Sequence, residues 1–108
     1  MAFTDQAQFK IPRHLVLKGG VNVETITTNV TLTYKSSTYQ MLRNNTGTLD
    51  VVLPDFTEGA SFWIKNRASS TSNIVVKDGD TNTIATLAAG EAVLCVSSDT
   101  AWVDVIKA

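Results

Sequence analysis

The sequence contains little of what catalytic, secreted or membrane-spanning proteins usually need. Its 108 residues include one cysteine, one histidine and two prolines, and 18% of them are charged, with a net charge of −1. A single cysteine forms no internal disulfide, and a balanced charge gives no strong field for nucleic acid or acidic membranes. The apolar runs are far shorter than the roughly 20 residues that span a bilayer, and the start MAFTDQAQFK lacks a signal-peptide core. We therefore expect a soluble protein that is made in a cytosol.

Threonine and valine are the commonest residues, and β-branched side chains favour strands. Short apolar runs alternate with segments rich in Gly, Asn, Asp and Ser, which favour turns. The runs are HLVLK, VNVETI, VTLTY, YQMLR, LDVVL, SFWIK, NIVVK, TIATL, AVLCV and WVDVI. This spacing predicts an all-β domain over residues 14–108, without a helix, built as an antiparallel β-sandwich or a small barrel of jelly-roll type.

Alternation within SFWIKN separates an inner side from an outer side. Phe62 and Ile64 are predicted to face the core, which places Trp63 and Lys65 on the outside. A large outward aromatic side chain must lie against a loop, another subunit or a ligand. Trp63 and Lys65 are therefore candidates for an interface between copies of the chain, with shielding by a neighbouring loop as the simpler alternative.

Three other strands carry expectations about the core. In VTLTY, Leu32 and Tyr34 are predicted to share the inner side with Val30. In the last strand, Trp102 follows the turn SSDT, and we expect its ring to close the end of the sheet. Cys95, within VLCVS, is expected to be inert packing.

The first 13 residues differ from the rest. Phe3, Phe9 and Ile11 are isolated apolar side chains among polar ones, and Pro12 disfavours helix for the residue before it. Residues 1–13 are thus interpreted as an extended N-terminal arm. It is either a disordered terminus or a segment that becomes ordered when it binds a partner.

The sequence contains no convincing catalytic or metal-binding pattern. His14 is the only histidine, and nothing places it near Cys95 as the base of a nucleophile. Asp78, Asp80 and Asn82 have the first three ligand spacings of a calcium loop, but the glycine and glutamate that complete it are missing. A polar hairpin is the better interpretation. We predict that the protein is not an enzyme and binds neither a metal nor a cofactor.

The order of these segments resembles small β-structured virion proteins of tailed bacteriophages, especially capsid decoration (cement) proteins. The likeness covers roughly His14 to Val105 and lies mainly in LTYKSSTYQML, VVLP, FWIKN and the closing run from the Gly-Glu turn to Trp102. The VVLP and FWIKN patterns also resemble modules of phage tail fibres and other virion spikes. None of these motifs is a catalytic signature.

The resemblance implies a structural protein on the outer capsid surface of a virion, made in the host cytoplasm. Proteins of this type often form homotrimers that bridge neighbouring subunits of the major capsid protein. The arm would then dock on the shell, through Phe3, Phe9, Ile11, Pro12 and Arg13. Neither nucleic acid nor a membrane is an expected partner.

The alternative is a tail-fibre or spike module that binds a glycan on the host surface. In that case Trp63, Tyr34 or Tyr39 would stack on sugar rings. Its loops would have to bring aromatic and polar side chains together in one groove.

Overall fold

The structure is a computed structural model that describes residues 20–55, 60–98 and 101–107, with Ile106 described by its backbone alone. These ranges form nine strands and no helix. The strands are β1 (Val21–Ile26), β2 (Val30–Thr31), β3 (Tyr39–Asn44), β4 (Leu49–Val52), β5 (Ser61–Asn66), β6 (Ile74–Lys77), β7 (Thr83–Leu87), β8 (Ala92–Ser97) and β9 (Trp102–Lys107). A five-stranded sheet has the order β1-β3-β5-β8-β9, and a four-stranded sheet has the order β2-β4-β6-β7. The all-β prediction is confirmed, and within the described ranges neither sheet closes into a barrel.

The chain winds between the two sheets. From β1 to β6, successive strands alternate between the sheets, and β3, β4, β5 and β6 each pair in parallel with the strand two places earlier. The three pairings that involve β7, β8 and β9 are antiparallel. The predicted antiparallel pairing is therefore wrong for four of the seven strand pairs. The parallel part has the winding of a β-helix, in which each coil contributes one strand to each sheet.

Both sheets contribute to one hydrophobic core. The fully buried side chains include Leu42, Ile64 and Val93 from the five-stranded sheet, and Val51, Ile74, Val76 and Leu87 from the four-stranded sheet. Strict alternation produces this core, because β3 and β5 bury every second residue. Phe62 and Ile64 face inwards as predicted, while Trp63 and Lys65 are half-buried on the outer side.

Buried asparagines connect successive coils. Asn44 ends β3 and Asn66 ends β5, and both side chains are fully buried. The Nδ2 of Asn66 donates to the carbonyl of Ser72, in its own corner, at 3.0 Å and to that of Leu87, in the next strand of the stack, at 2.9 Å. Asn44 makes the equivalent two bonds one coil earlier. These hydrogen bonds satisfy carbonyl groups in the corners and at the end of β7.

Of the three aromatic residues predicted for the core, Phe62 and Trp102 are buried and Tyr34 is exposed. The ring of Trp102 is buried and lies 5.9 Å from that of Phe62, so its predicted closing position is confirmed. Leu32 is buried, but Tyr34 is 49% exposed, so its predicted core position is wrong. The chain leaves extended geometry after β2, and the Tyr34 hydroxyl then donates to the carbonyl of Asp55.

Candidate functional site

The outer side of the five-stranded sheet is largely apolar. Because every second residue of each strand faces the core, the intervening residues form the opposite surface. The row Val21, Tyr39, Trp63 and Leu94 crosses four strands in direct register. We call this surface the apolar face; its members are Val21, Val23, Tyr39, Met41, Trp63, Leu94, Val96 and Val103.

Aromatic rings lie at the centre of the apolar face and exposed valines lie at its edges. The ring centroids of Tyr39 and Trp63 are 5.8 Å apart, and the planes are tilted by 53°. On the edge strands, Val23 is 56% exposed and Val103 is 46% exposed. Outward valine and tryptophan side chains of this kind lose contact with water when another surface covers them, and this loss is favourable.

The outer side of the four-stranded sheet is polar by comparison. Besides the half-buried Val52 and Val75 it carries Thr31 and Thr86, and an ion pair of 3.1 Å joins the Lys77 Nζ to the Asp50 carboxylate. With strands about 4.8 Å apart and outward residues about 6.8 Å apart along a strand, the eight residues of the apolar face cover about 260 Å². Contiguous apolar patches commonly mark interaction sites. Of the two outer sides, the apolar face is therefore the candidate binding surface.

The predicted polar hairpin is present between β6 and β7. The Asp78 carboxylate accepts hydrogen bonds from the backbone N–H groups of Asp80 and Asn82, at 2.9 and 2.8 Å, and from the Asn82 Nδ2 at 3.0 Å. Burial alone would raise the pKa of Asp78, but these hydrogen bonds outweigh it and hold the pKa below its ordinary value. Asp78 is thus occupied in shaping the turn. Within the described ranges, no three His, Cys, Asp or Glu side chains gather where they could hold a metal ion.

A cleft of about 300 Å³ lies beside β1 and β2. Its buried member Gln40 accepts a hydrogen bond from the Asn22 Nδ2 at 2.9 Å and donates to the Ser37 carbonyl at 2.7 Å. Glu24 and Lys35 also line it. The amide groups hold one another in place, and the lining residues include neither histidine nor cysteine that could act as a base or nucleophile.

Cys95 lies in the core of β8 and is fully buried. Burial, together with the charge of Asp104, raises the pKa of its thiol to about 12. The thiol therefore stays protonated at neutral pH and is a poor nucleophile. Its prediction as packing is confirmed.

The structure brings the two predicted interface residues together with Tyr39, a predicted stacking residue, and with two valines that were not predicted. Trp63 and Lys65 lie on the same side of β5, and Tyr39 contacts Trp63 from the neighbouring strand. Val21 and Val23 were missed, although the alternation in VNVETI was a signal for them. The proposed docking residues Phe3, Phe9, Ile11, Pro12 and Arg13, like His14, lie outside the described residues.

Comparison of the chain with protein-family models, with curated proteins and with solved structures found no match. In the described part of the chain, no helix has the length and apolarity needed to cross a membrane.

Proposed function

We propose that the chain is a structural virion protein of a tailed bacteriophage, which binds the outer surface of the capsid and bridges neighbouring subunits of the major capsid protein. In this proposal the two sheets pack as a sandwich, and copies associate as a homotrimer through the apolar face. The observation that supports self-association is the contrast between the two outer sides, one aromatic and apolar, the other polar and ion-paired. The motif resemblance supports the location on the virion.

The free energies of apolar burial and of association are consistent with a small protein that acts by associating with others. Covering about 260 Å² of apolar surface contributes roughly 6 kcal/mol, at about 25 cal/mol per Å². Association costs a similar amount, about 4–15 kcal/mol, in lost translational and rotational freedom. One face alone therefore gives a weak contact, and repetition around a symmetry axis strengthens it.

The self-association part is tested by sedimentation equilibrium of the wild type and of Trp63→Lys. The wild type should form a closed oligomer, and the substitution should raise its dissociation constant by at least about 30-fold, as for a central tryptophan in an interface. Thr86→Lys places the same charge on the exposed outer side of β7 and is the matched control. A wild type that stays monomeric at all concentrations would exclude self-association.

The capsid part is tested by sedimenting the protein with empty capsids of the phage that encodes it. In the proposal, residues 2–12 dock on the shell, so deleting them should abolish pelleting while circular dichroism and the oligomer stay unchanged. Full capsid occupancy by the deletion variant would reject docking by the arm. Absence of pelleting by the full chain would reject the capsid location.

Glycan binding is the second candidate, because Tyr39 and Trp63 form a ring pair on an accessible surface. Tyr34, the third predicted stacking residue, is not part of this ring pair; its ring lies 6.5 Å from that of Phe62. Under this alternative a glycan array should give signals that Trp63→Ala and Tyr39→Ala remove. A blank array with an intact oligomer favours the structural function.

A further inference from the structure

The outer side of the five-stranded sheet ends in a cluster of cations, which we call the basic corner: Arg43, Lys65 and Arg67. Parallel register pairs Leu42 with Asn66, and the N–H of Arg67 donates to the carbonyl of Leu42 at 2.7 Å. One residue further along, Arg67 follows β5 directly beside Arg43 of β3. Lys65 lies two residues earlier on the same side of β5, so three positive charges share one end of the sheet.

The basic corner has no anionic partner among the residues that the structure describes. The two ion pairs in the described residues are Lys77–Asp50 and Lys107–Glu91, and neither includes a cation of the basic corner. The neighbouring carboxylate, Glu91, accepts a hydrogen bond from the Ala88 N–H and pairs with Lys107, which together hold its pKa below the ordinary value. The Nε of Arg43 is buried without a hydrogen-bond partner. An unpaired buried donor of this kind is unfavourable, and an oxygen acceptor beside Arg43 would relieve it.

An acidic cluster lies near the other end of β5, where the corner after β4 meets the hairpin between β6 and β7 of the four-stranded sheet. Asp55, Asp78 and Asp80 line a cleft of about 220 Å³ together with Trp102, whose ring contacts Phe62 near the beginning of β5. We call these three carboxylates the acidic corner. Asp78 is committed to its hairpin, whereas Asp55 and Asp80 are exposed and make no ion pair in the described ranges. The strand β5 therefore runs from the acidic corner to the basic corner, over about 20 Å.

We propose that the basic corner of one copy binds the acidic corner of a neighbouring copy. This inference rests on the self-association proposed above and specifies the contact that orients it. Because the two corners lie near opposite ends of β5, each copy offers both halves of the contact. Such head-to-tail contacts close into a ring when the rotation between copies allows it.

Charge complementarity also decides between orientations of the apolar face. Two copies that align their like corners place three cations against three cations, which repels them. Copies that bring unlike corners together gain attraction instead. Charged contacts of this type set orientation and specificity more than total affinity, which complements an apolar face that has no direction of its own.

The test is a charge swap in the full-length chain, measured by sedimentation equilibrium. One variant carries Lys65→Glu with Arg67→Glu, a second carries Asp55→Lys with Asp80→Lys, and a third carries all four substitutions. Each double variant should raise the dissociation constant of the oligomer by about tenfold or more, and the quadruple variant should return it to within about threefold of the wild type. High salt should weaken the wild-type oligomer, since it screens exposed charges.

Circular dichroism of each variant establishes that it is folded. If a reversal prevents folding, Lys65→Gln with Arg67→Gln and the salt titration of the wild type replace it, with the same expected weakening. Unchanged dissociation constants in the double variants, or no restoration in a folded quadruple variant, would overturn the corner contact. Loss of the oligomer in Trp63→Lys would then still support the apolar face, whereas a monomeric wild type overturns both proposals. Binding of a soluble polyanion that depends on Lys65 and Arg67, with the oligomer unchanged, would assign the corner to a different ligand.

Discussion

The indole nitrogen of Trp102 donates a hydrogen bond of 2.7 Å to the carbonyl of Pro54, which ties the last strand to the corner that follows β4. The same ring is buried against Phe62 of β5, at a centroid distance of 5.9 Å. One side chain thus connects the antiparallel end of the chain to both sheets. The apolar part of the ring packs in the core, while its N–H group forms a hydrogen bond.

We predict that Trp102→Phe keeps most of the ring packing but lowers the free energy of unfolding by about 1–2 kcal/mol, because the carbonyl of Pro54 loses its donor. Urea unfolding followed by far-UV circular dichroism measures the change. Trp63→Phe is the matched control, since the Trp63 ring is only half-buried, and it should cost less than about 0.5 kcal/mol at concentrations where the chain is monomeric. Equal losses in the two variants would contradict a special role for the Trp102 hydrogen bond.

The buried corner asparagines give a second prediction. Asn66→Ala removes the two donors to Ser72 and Leu87 and should lower the free energy of unfolding by about 2–3 kcal/mol. Asn45→Ala is the control, because the exposed Asn45 accepts its hydrogen bonds from Thr71 at the surface, and its loss should stay below about 1 kcal/mol.

Asn66→Asp extends this test, because it sets carboxylate oxygens against two carbonyl oxygens in a buried corner. It should therefore destabilise the fold more than Asn66→Ala. A carboxylate variant as stable as the wild type would show that the corner hydrogen bonds contribute little. Both substitutions are measured under the same urea conditions.

The strands were predictable from the sequence, and their pairing was not. Nine of the predicted runs coincide with the strands from β1 to β9, because alternation and turn residues are local signals. A strand with one buried side alternates in the same way whether its neighbour is parallel or antiparallel, so Phe62 and Trp63 were placed correctly without the topology. The parallel partners, such as Tyr39 and Trp63, lie roughly 20 residues apart, and only a search for an internal repeat detects that spacing.

Predictions for single residues were wrong where a strand ended earlier than its alternating sequence pattern. Tyr34 was expected in the core because VTLTY alternates, but β2 ends at Thr31 and the N–H of Ser36 donates to the carbonyl of Thr33 in a turn. Trp63 was recognised as an outward aromatic residue, while its contact with Tyr39 depended on the parallel register. The charge contrast between the two ends of β5 was also hidden, because Asp55 and Arg67 take up their positions only through the winding.

We predict that the Cys95 thiol of the native protein resists modification. It is fully buried, and its pKa of about 12 leaves almost no thiolate at pH values near 8. Reaction with a disulfide reagent should be at least about a thousandfold slower than in urea, since it requires opening of β8 within the core. Ala89→Cys, at an exposed turn position, should react at once in the same folded chain and is the control. Prompt labelling of Cys95 in the folded protein would contradict the position of β8.

The last prediction concerns the pH dependence of stability at the hairpin between β6 and β7. The pKa of Asp78 lies below its ordinary value of 3.8 in the folded chain, because hydrogen bonds from Asn82 and Asp80 outweigh the opposing effect of burial. The folded carboxyl thus binds a proton less readily than the unfolded one, so it stabilises the fold above the unfolded pKa and loses that contribution as the pH falls through the folded pKa.

Asp78→Asn removes this titration, so the stability difference between wild type and variant should shrink as the pH is lowered from about 6 to about 2. Urea midpoints at each pH measure it. Asp80→Asn is the control for the loss of one negative charge from the hairpin, because Asp80 is exposed and contributes only its backbone N–H to the Asp78 carboxylate. Parallel pH profiles for wild type and Asp78→Asn would mean that the carboxylate contributes no pH-dependent stability, and the turn would then owe its shape to the backbone alone.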